Sequence, residues 1–251
     1  MDSASAFSFD MSYCGQPPSL DTVWSRWNFE PMLLLVLAVL AISGLHALNG
    51  AARSRQAAFA GGWGLAAMLF VSPLCALSVA LLSARVGHHV VLTMVAAPLL
   101  ALALPPHRGE RLALLPALIV STSALWLWHT PDLYAASFAH PAIYWAMQAS
   151  LLGSFAWLWL GLLRSQAPLR AGVVALASAT QMGLLGALLV FAPQPLYLPH
   201  LGTSLAFGLA PLEDQHLAGL IMWVPANLPL LALVLWRLVA ALRPAGGETA
   251  G

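Results

Sequence analysis

The chain has 251 residues, of which 60% are hydrophobic and 8% are charged, and its mean hydropathy is +0.82. Soluble domains are about 45–50% apolar and about 25% charged, so this composition excludes a soluble protein and predicts a helical membrane protein surrounded by lipid. The formal net charge of +1 gives no attraction to nucleic acid, and no nucleic acid is expected as a partner.

Apolar segments follow one another along the chain, and each is close to the roughly 20 residues that a membrane-spanning helix needs. An acidic periplasmic arm, residues 1–30, precedes them, and a disordered cytoplasmic tail, residues 241–251, follows the helical domain of residues 31–240. The pattern predicts an all-α, polytopic bundle of seven transmembrane helices at about 31–50, 60–82, 88–106, 112–130, 141–163, 171–192 and 216–239.

The arginines indicate how this bundle lies in the membrane. The chain has no lysine, and eight of its ten basic residues fall in alternate loops or at the C-terminal end: Arg53, Arg55, Arg108, Arg111, Arg164, Arg170, Arg237 and Arg243. Basic residues accumulate on the cytoplasmic side of membrane proteins. We therefore expect a multi-pass protein of the bacterial inner membrane, with its N-terminus in the periplasm and its C-terminus in the cytoplasm.

Histidines gather at the predicted periplasmic ends of the helices. His88 and His89 begin the third helix, His129 ends the fourth, and His216 begins the seventh within the stretch "EDQH". Neutral imidazole suits copper, zinc, iron and nickel, and copper binds most tightly of the common divalent ions. The pattern predicts a copper site with His89, His129 and His216 as ligands and His88 as a fourth. The alternative is that these histidines only mark the headgroup zone.

Four other side chains are predicted to support this site. Asp214 would accept the second ring N–H of a ligating histidine and so fix its orientation, with Gln215 beside it. Met222 and Met94 would be relays for Cu(I), because thioether sulfur is a soft ligand. The transfer of copper would then be an exchange of ligands and not a catalysed reaction.

Cys14 is expected to be an unpaired thiol. A disulfide to Cys75, inside the second helix, would need an unusual fold-back of the N-terminal arm, so a free thiol in an oxidising compartment is predicted. Such a thiol could receive or hand over Cu(I), or it could be a small buried residue. His140 and His200, both in loops, are expected to take no part in the site.

Several function classes are excluded. Retinal attaches to a lysine, and the chain has none. No predicted helix has an acid at its centre, as a proton-coupled transporter usually does. No phosphate-binding loop, dinucleotide fingerprint or zinc-protease motif is present, so no enzyme activity is expected. Two alternatives stay open: a metal-free scaffold with close-packing faces such as "GLLG" at 183–186, and a haem-binding redox protein.

Three stretches carry a family resemblance: "FVSPLCALSVALLSARVGHHVVLTMVAAPLLALALP" at 70–105, "WLWHTPDLY" at 126–134 and "PLEDQHLAGLIMWVPA" at 211–226. Together they resemble the CtaG family, membrane assembly factors of caa-type cytochrome c oxidase that are implicated in copper supply. The resemblance runs from about 24 to 238. It implies oxidase subunits, membrane lipid and a periplasmic copper donor as partners, and Cu(I) as the metal that is handed on.

Position by position, the resemblance keeps His89 and His129 as family histidines, while His88 replaces a glutamine. The family's last motif matches the residues Asp214, Gln215, Gly219, Met222 and Trp223, with His216 where glutamine is more usual.

Two departures weaken a direct transfer of the metal site. Arg85 stands where many members have a histidine, and Gln148–Ala149 stands where many have an acidic residue followed by histidine.

Overall fold

The computed structural model describes residues 12–105 and 113–242, and these form α-helices joined by short turns, without a strand. The predicted tail from residue 243 onward, and the loop that carries Arg108 and Arg111, lie outside the described residues. The helices are α1 Pro31–Ala47, α2 Arg53–Val71, α3 Leu74–Ala80, α4 Leu82–Val91, α5 Ala97–Ala103, α6 Leu114–Trp128, α7 Pro131–Ala139, α8 Pro141–Arg164, α9 Pro168–Phe191, α10 Pro211–Trp223 and α11 Leu228–Leu242.

Within the described residues, four helices are long and apolar enough to cross a membrane: Leu82–Ala103, Pro141–Arg164, Pro168–Phe191 and Pro211–Ala240. The first joins α4 to α5 through a π-helical turn at Leu92–Ala96. A fifth span is added if α2 and α3, which meet at a bend of 53°, form one crossing. The all-α membrane architecture is confirmed, and the count of seven helices and the orientation of the termini stay predictions.

Three helices begin earlier than the hydropathy pattern predicts. The second begins at Arg53 and not near 60, the third at Leu82 and not at 88, and the last at Pro211 and not at 216. Polar residues near a helix start interrupt an apolar run without ending the helix, because side chains or proline satisfy the first turn. As a consequence, His88 and His89 lie in the last turn of α4 and not at its start.

Arginines cap the C-terminal ends of helices at one end of the bundle, which we call the arginine end. Arg237 donates to Leu163 O at 3.0 Å, in the last turn of α8, and to Ser165 O at 3.0 Å, directly after that helix. Arg164 donates to Ala101 O at 3.1 Å, and Arg55 donates through Nε to Ala103 O at 3.0 Å. These contacts satisfy carbonyls that have no partner within their own helix, at the end of the helix dipole that favours cations.

Glycines let α9 and α10 pack backbone against backbone. A Cβ atom added to Gly219 would lie 2.7 Å from Gly186 O, and one added to Gly186 would lie 2.9 Å from Gly219 O. Such close approach is how membrane helices gain packing energy, since lipid gives little hydrophobic drive for association. Gly186, one of the two glycines of "GLLG", is therefore used inside the bundle.

Residues 12–30 of the N-terminal arm fold back over the opposite end of the bundle, which we call the disulfide end, and a disulfide joins Cys14 to Cys75 on α3. The prediction of an unpaired Cys14 thiol is wrong. The fold-back is held by the hydrogen bond from Asn28 N to Val71 O at 2.8 Å and by the ring of Tyr13, which stacks on Tyr144 with 5.1 Å between centroids. A thiol in a disulfide cannot serve as a copper relay.

Candidate functional site

His88 and His89 lie side by side in α4, and both are buried. Their ring centroids are 5.7 Å apart, and the His88 ring also meets Phe70 edge-on at 5.3 Å. The His88 Nε2 atom is buried and has no hydrogen-bond partner among the described residues. A buried ring nitrogen without a partner is uncommon and marks a place where a water or an ion would be stabilised.

His89 and His129 complete the histidine cluster. The His89 Nε2 atom lies 3.3 Å from the Gln148 side-chain nitrogen on α8. His129 directly follows α6, and its Nδ1 atom is 2.7 Å from Leu125 O. A nitrogen facing a carbonyl oxygen must carry the proton, so Nδ1–H donates and Nε2 holds the lone pair. The structure therefore brings His88, His89 and His129 to the same end of the bundle.

Arg85 occupies the interior beside these histidines, one turn earlier on α4. Its side chain is only 3% exposed, and its charge acts on His88, His89 and His129. Its Nη2 atom donates to Ser137 Oγ at 2.5 Å, and its Nε atom has no hydrogen-bond partner among the described residues.

Aromatic faces hold this guanidinium. Its central carbon lies 4.0 Å from the Phe138 ring centroid, 4.9 Å from that of Tyr134 and 5.8 Å from that of Tyr144. Arginine stacks on aromatic rings because its planar, delocalised cation is weakly hydrated and is attracted by the ring quadrupole. A buried positive charge is thus held in place beside the histidines.

A metal-binding group of three or more histidine, cysteine, aspartate or glutamate side chains is not found among the residues that the structure describes. His216, the third predicted ligand, is half-buried on α10, directly after Asp214 and Gln215. The ligand assignment of His88, His89, His129 and His216 stays a prediction.

Asp214 caps the start of α4, and its predicted role of orienting a ligating histidine stays a prediction. Its side chain is fully buried, and Oδ2 accepts from Leu82 N at 2.7 Å while Oδ1 accepts from Ser83 N at 3.1 Å and Ser83 Oγ at 2.5 Å. A carboxylate at a helix N-terminus satisfies free N–H groups and is favoured by the helix dipole. Its acceptor atoms are engaged by α4, where the sequence predicted an imidazole N–H.

The rest of "EDQH" fastens neighbouring segments. Gln215 accepts from Leu196 N at 2.7 Å and donates to Leu189 O at 3.3 Å, so it ties the end of α9 to the loop that follows it. Glu213 Oε2 accepts from Ala210 N at 2.8 Å, at the start of its own helix. Three of the four polar residues in this stretch therefore form hydrogen bonds with backbone groups, which explains their presence in a chain with so few charged residues.

The two methionines that were predicted as relays lie in the core. Met222 is 2% exposed and Met94 is 3% exposed, the latter within the π-helical turn. Burial of this kind is the ordinary use of methionine as a flexible filler of apolar space. Their role in copper transfer stays a prediction.

His200, expected to be uninvolved, is part of the buried structure at this end. Its Nε2 is 2.6 Å from the Tyr134 hydroxyl and its Nδ1 is 3.3 Å from Ala80 O, so Tyr134 donates to Nε2 and Nδ1–H donates to the carbonyl. Burial lowers the pKa of His200 to about 3. His140, by contrast, is exposed, as predicted for a loop residue. No local pattern in the sequence distinguishes the two.

Comparison with known proteins identifies the chain's relatives at the level of a family. The model of the cytochrome c oxidase caa3 assembly factors (CtaG) matches residues 34–114 and 111–243. No curated protein and no solved structure matches the chain significantly.

Proposed function

We propose that this chain, which belongs to the family of caa3 cytochrome c oxidase assembly factors, assists assembly as a membrane-embedded scaffold for an oxidase subunit and needs no bound metal to do so. The observation that carries the proposal is Arg85, a buried cation beside the predicted ligands His88, His89 and His129. The neighbouring histidines are then neutral packing and hydrogen-bonding partners.

The electrostatic argument is direct. Two unit charges about 6 Å apart repel by roughly 3 kcal/mol at an effective dielectric of about 20. A copper ion held by His88 or His89 would lie beside a guanidinium that has its own cost of burial and no carboxylate partner among the described residues. The family resemblance implies that many members carry a histidine at this position, so Arg85 removes a ligand and adds a repulsion.

Rigidity at the disulfide end supports a scaffold. Asp214, Gln215, His200 and the Cys14–Cys75 disulfide each join segments that are far apart in the chain. Disulfides persist in oxidising compartments such as the periplasm, which agrees with the predicted orientation of this end. A scaffold gains from such fixed geometry because little conformational entropy is lost when its partner binds.

Co-purification tests the proposal. An affinity-tagged chain would be isolated from membranes that contain the oxidase, once with copper and once with a Cu(I) chelator throughout. The scaffold predicts equal recovery of an oxidase subunit in both. Recovery that falls at least tenfold under chelation would overturn the metal-free mechanism.

A second candidate is the handling of Cu(I) as cargo, and the bare Nε2 of His88 favours it. Cu(I) accepts few ligands, so His88 with His89 could hold it while His129 stands near, and a periplasmic donor would supply it. Competition against a chromogenic Cu(I) chelator tests this. Copper handling predicts that His88→Ala/His89→Ala weakens retention at least tenfold, whereas the exposed His140→Ala control does not. A Soret band in the same sample would instead support the haem alternative.

A further inference from the structure

A groove opens on the lipid-facing side of the bundle between α9 and α11, with Trp223 of α10 at its edge. It has a volume of about 310 Å³. Its base on α9 is made of Ala179, Gly183 and Ala187, small residues at every fourth position. From Ala179 to Ala187 this base is about 12 Å long, at about 1.5 Å per helical residue. We call it the α9–α11 groove.

Asn227 forms one wall of the α9–α11 groove and has an unused acceptor. Its side chain is 6% exposed, and Nδ2 donates to Trp223 O at 2.8 Å. Its Oδ1 atom is buried and has no hydrogen-bond partner among the described residues. Asn227 lies near the middle of the Pro211–Ala240 helix, at the depth where lipid offers no donor. An amide oxygen left in this state is costly, so it marks a place where a donor is missing.

We propose that the α9–α11 groove docks a transmembrane helix of an oxidase subunit that presents a small residue to Gly183 and a hydroxyl donor to Asn227, whose side chain turns Oδ1 into the groove as the helix binds. The choice of subunit rests on the proposed function, whereas the groove and its chemistry do not. A lipid tail can fill apolar space but cannot donate a hydrogen bond. A small-residue stripe beside a polar side chain is the combination by which membrane helices associate.

The two glycines of "GLLG" have separate roles in this arrangement. Gly186 faces the α10 backbone, as described above. A Cβ atom added to Gly183 would instead meet Asn227 Nδ2 at 3.4 Å and Trp223 Cδ1 at 3.8 Å, which is ordinary contact at the groove surface. A larger side chain at Gly183 can therefore fill the groove without separating α9 from α10.

A second copy of this chain fits the groove less well than a different helix does. Two side-chain donors at this depth are already used within the chain: Asn227 Nδ2 on Trp223 O, and Thr180 Oγ1 on Leu176 O at 2.9 Å. A two-fold symmetric contact would bring the same surface to both sides and so place acceptor against acceptor. Among the described residues that line the groove, the Trp223 indole N–H is then the remaining donor, and a Trp223→Phe variant removes it.

Site-specific photo-crosslinking in native membranes tests the docking. A photoreactive residue would replace Leu184, which lines the groove and is 53% exposed, or Ile119 on α6, which is 56% exposed and serves as the control. The full chain would be expressed with the oxidase. We expect an adduct between the Leu184 probe and an oxidase subunit, and at least fivefold less adduct from Ile119.

Variants of the groove sharpen the test. Gly183→Leu, and independently Asn227→Leu, should reduce the Leu184 adduct at least fivefold. Gly153→Leu on α8, where an added Cβ meets nothing within 4 Å, should leave it unchanged. Equal amounts of each variant in the membrane, with the Cys14–Cys75 disulfide formed, would establish that it folds.

Four results would overturn the proposal. They are an adduct only with lipid, an adduct with a second copy that Trp223→Phe removes, no difference between Leu184 and Ile119, and adducts that survive both groove variants. If the tagged chain still co-purifies an oxidase subunit in any of these cases, the groove is wrong and the scaffold stands. If no subunit co-purifies from wild-type membranes, the proposed function itself fails.

Discussion

The cap that Asp214 places on α4 gives the sharpest prediction about stability. Asp214→Asn keeps the size of the side chain but turns one of its acceptor atoms into a donor that faces the N–H groups of Leu82 and Ser83. One buried donor left without a partner costs about 1–3 kcal/mol. The lost interaction of the charge with the helix dipole adds about 0.5–1 kcal/mol. We therefore expect a total destabilisation of about 1.5–4 kcal/mol.

Thermal unfolding in detergent, followed by intrinsic tryptophan fluorescence, measures this effect. At about 2–4 °C per kcal/mol for a chain of this size, Tm should fall by roughly 3–16 °C. Glu213→Gln is the matched control, because Glu213 is exposed and an amide oxygen can still accept from Ala210 N. An Asp214→Asn variant as stable as Glu213→Gln would refute the capping role.

Three further predictions concern the disulfide end and the helix contacts. Reduction should lower the Tm of the wild type and leave the Tm of Cys14→Ser/Cys75→Ser unchanged. The disulfide closes a separation of 61 residues, and its loss should lower the free energy of unfolding by about 2–5 kcal/mol. Equal Tm values of the wild type with and without reductant would contradict this. The pKa of His200 is about 3 in the folded state against about 6.5 when unfolded, so the unfolded chain gains a proton first and stability is lost as pH falls below about 6.5. Between pH 7 and 5 this histidine should account for about 2 kcal/mol of the loss, and a His200→Gln variant with the same pH profile as wild type would refute it. Gly219→Ala should cost about 1–3 kcal/mol, because its Cβ would lie 2.7 Å from Gly186 O; denaturant titration should show no loss for Gly153→Ala.

The membrane architecture was predictable because long apolar runs follow from the need to satisfy backbone groups inside lipid. The residues at which the helices begin were less predictable. Leu82 is capped by a carboxylate 132 residues away, and nothing near Leu82 in the sequence indicates it. The role of "EDQH" could not be predicted for a similar reason. The sequence shows that these residues are polar, but it does not show which segments they bind.

The cysteine pairing was missed, and the histidine cluster was predicted only in part, for related reasons. Whether Cys14 reaches Cys75 depends on how the arm folds, and contacts such as Tyr13 on Tyr144 join residues far apart in sequence. The sequence placed His88, His89 and His129 at one end correctly. The family resemblance put Arg85 at a position where many members have a histidine. The sequence did not indicate that His200 is buried at the same end or that His216 is only half-buried.

Copper content by mass spectrometry after anaerobic Cu(I) loading tests the central claim most directly. Detergent-purified wild type would be measured beside the His89→Ala/His129→Ala double variant. A metal-free scaffold centred on Arg85 predicts the same trace of copper in both. About one copper per chain in wild type, lost in the double variant, would contradict it and make copper transfer the function of this end.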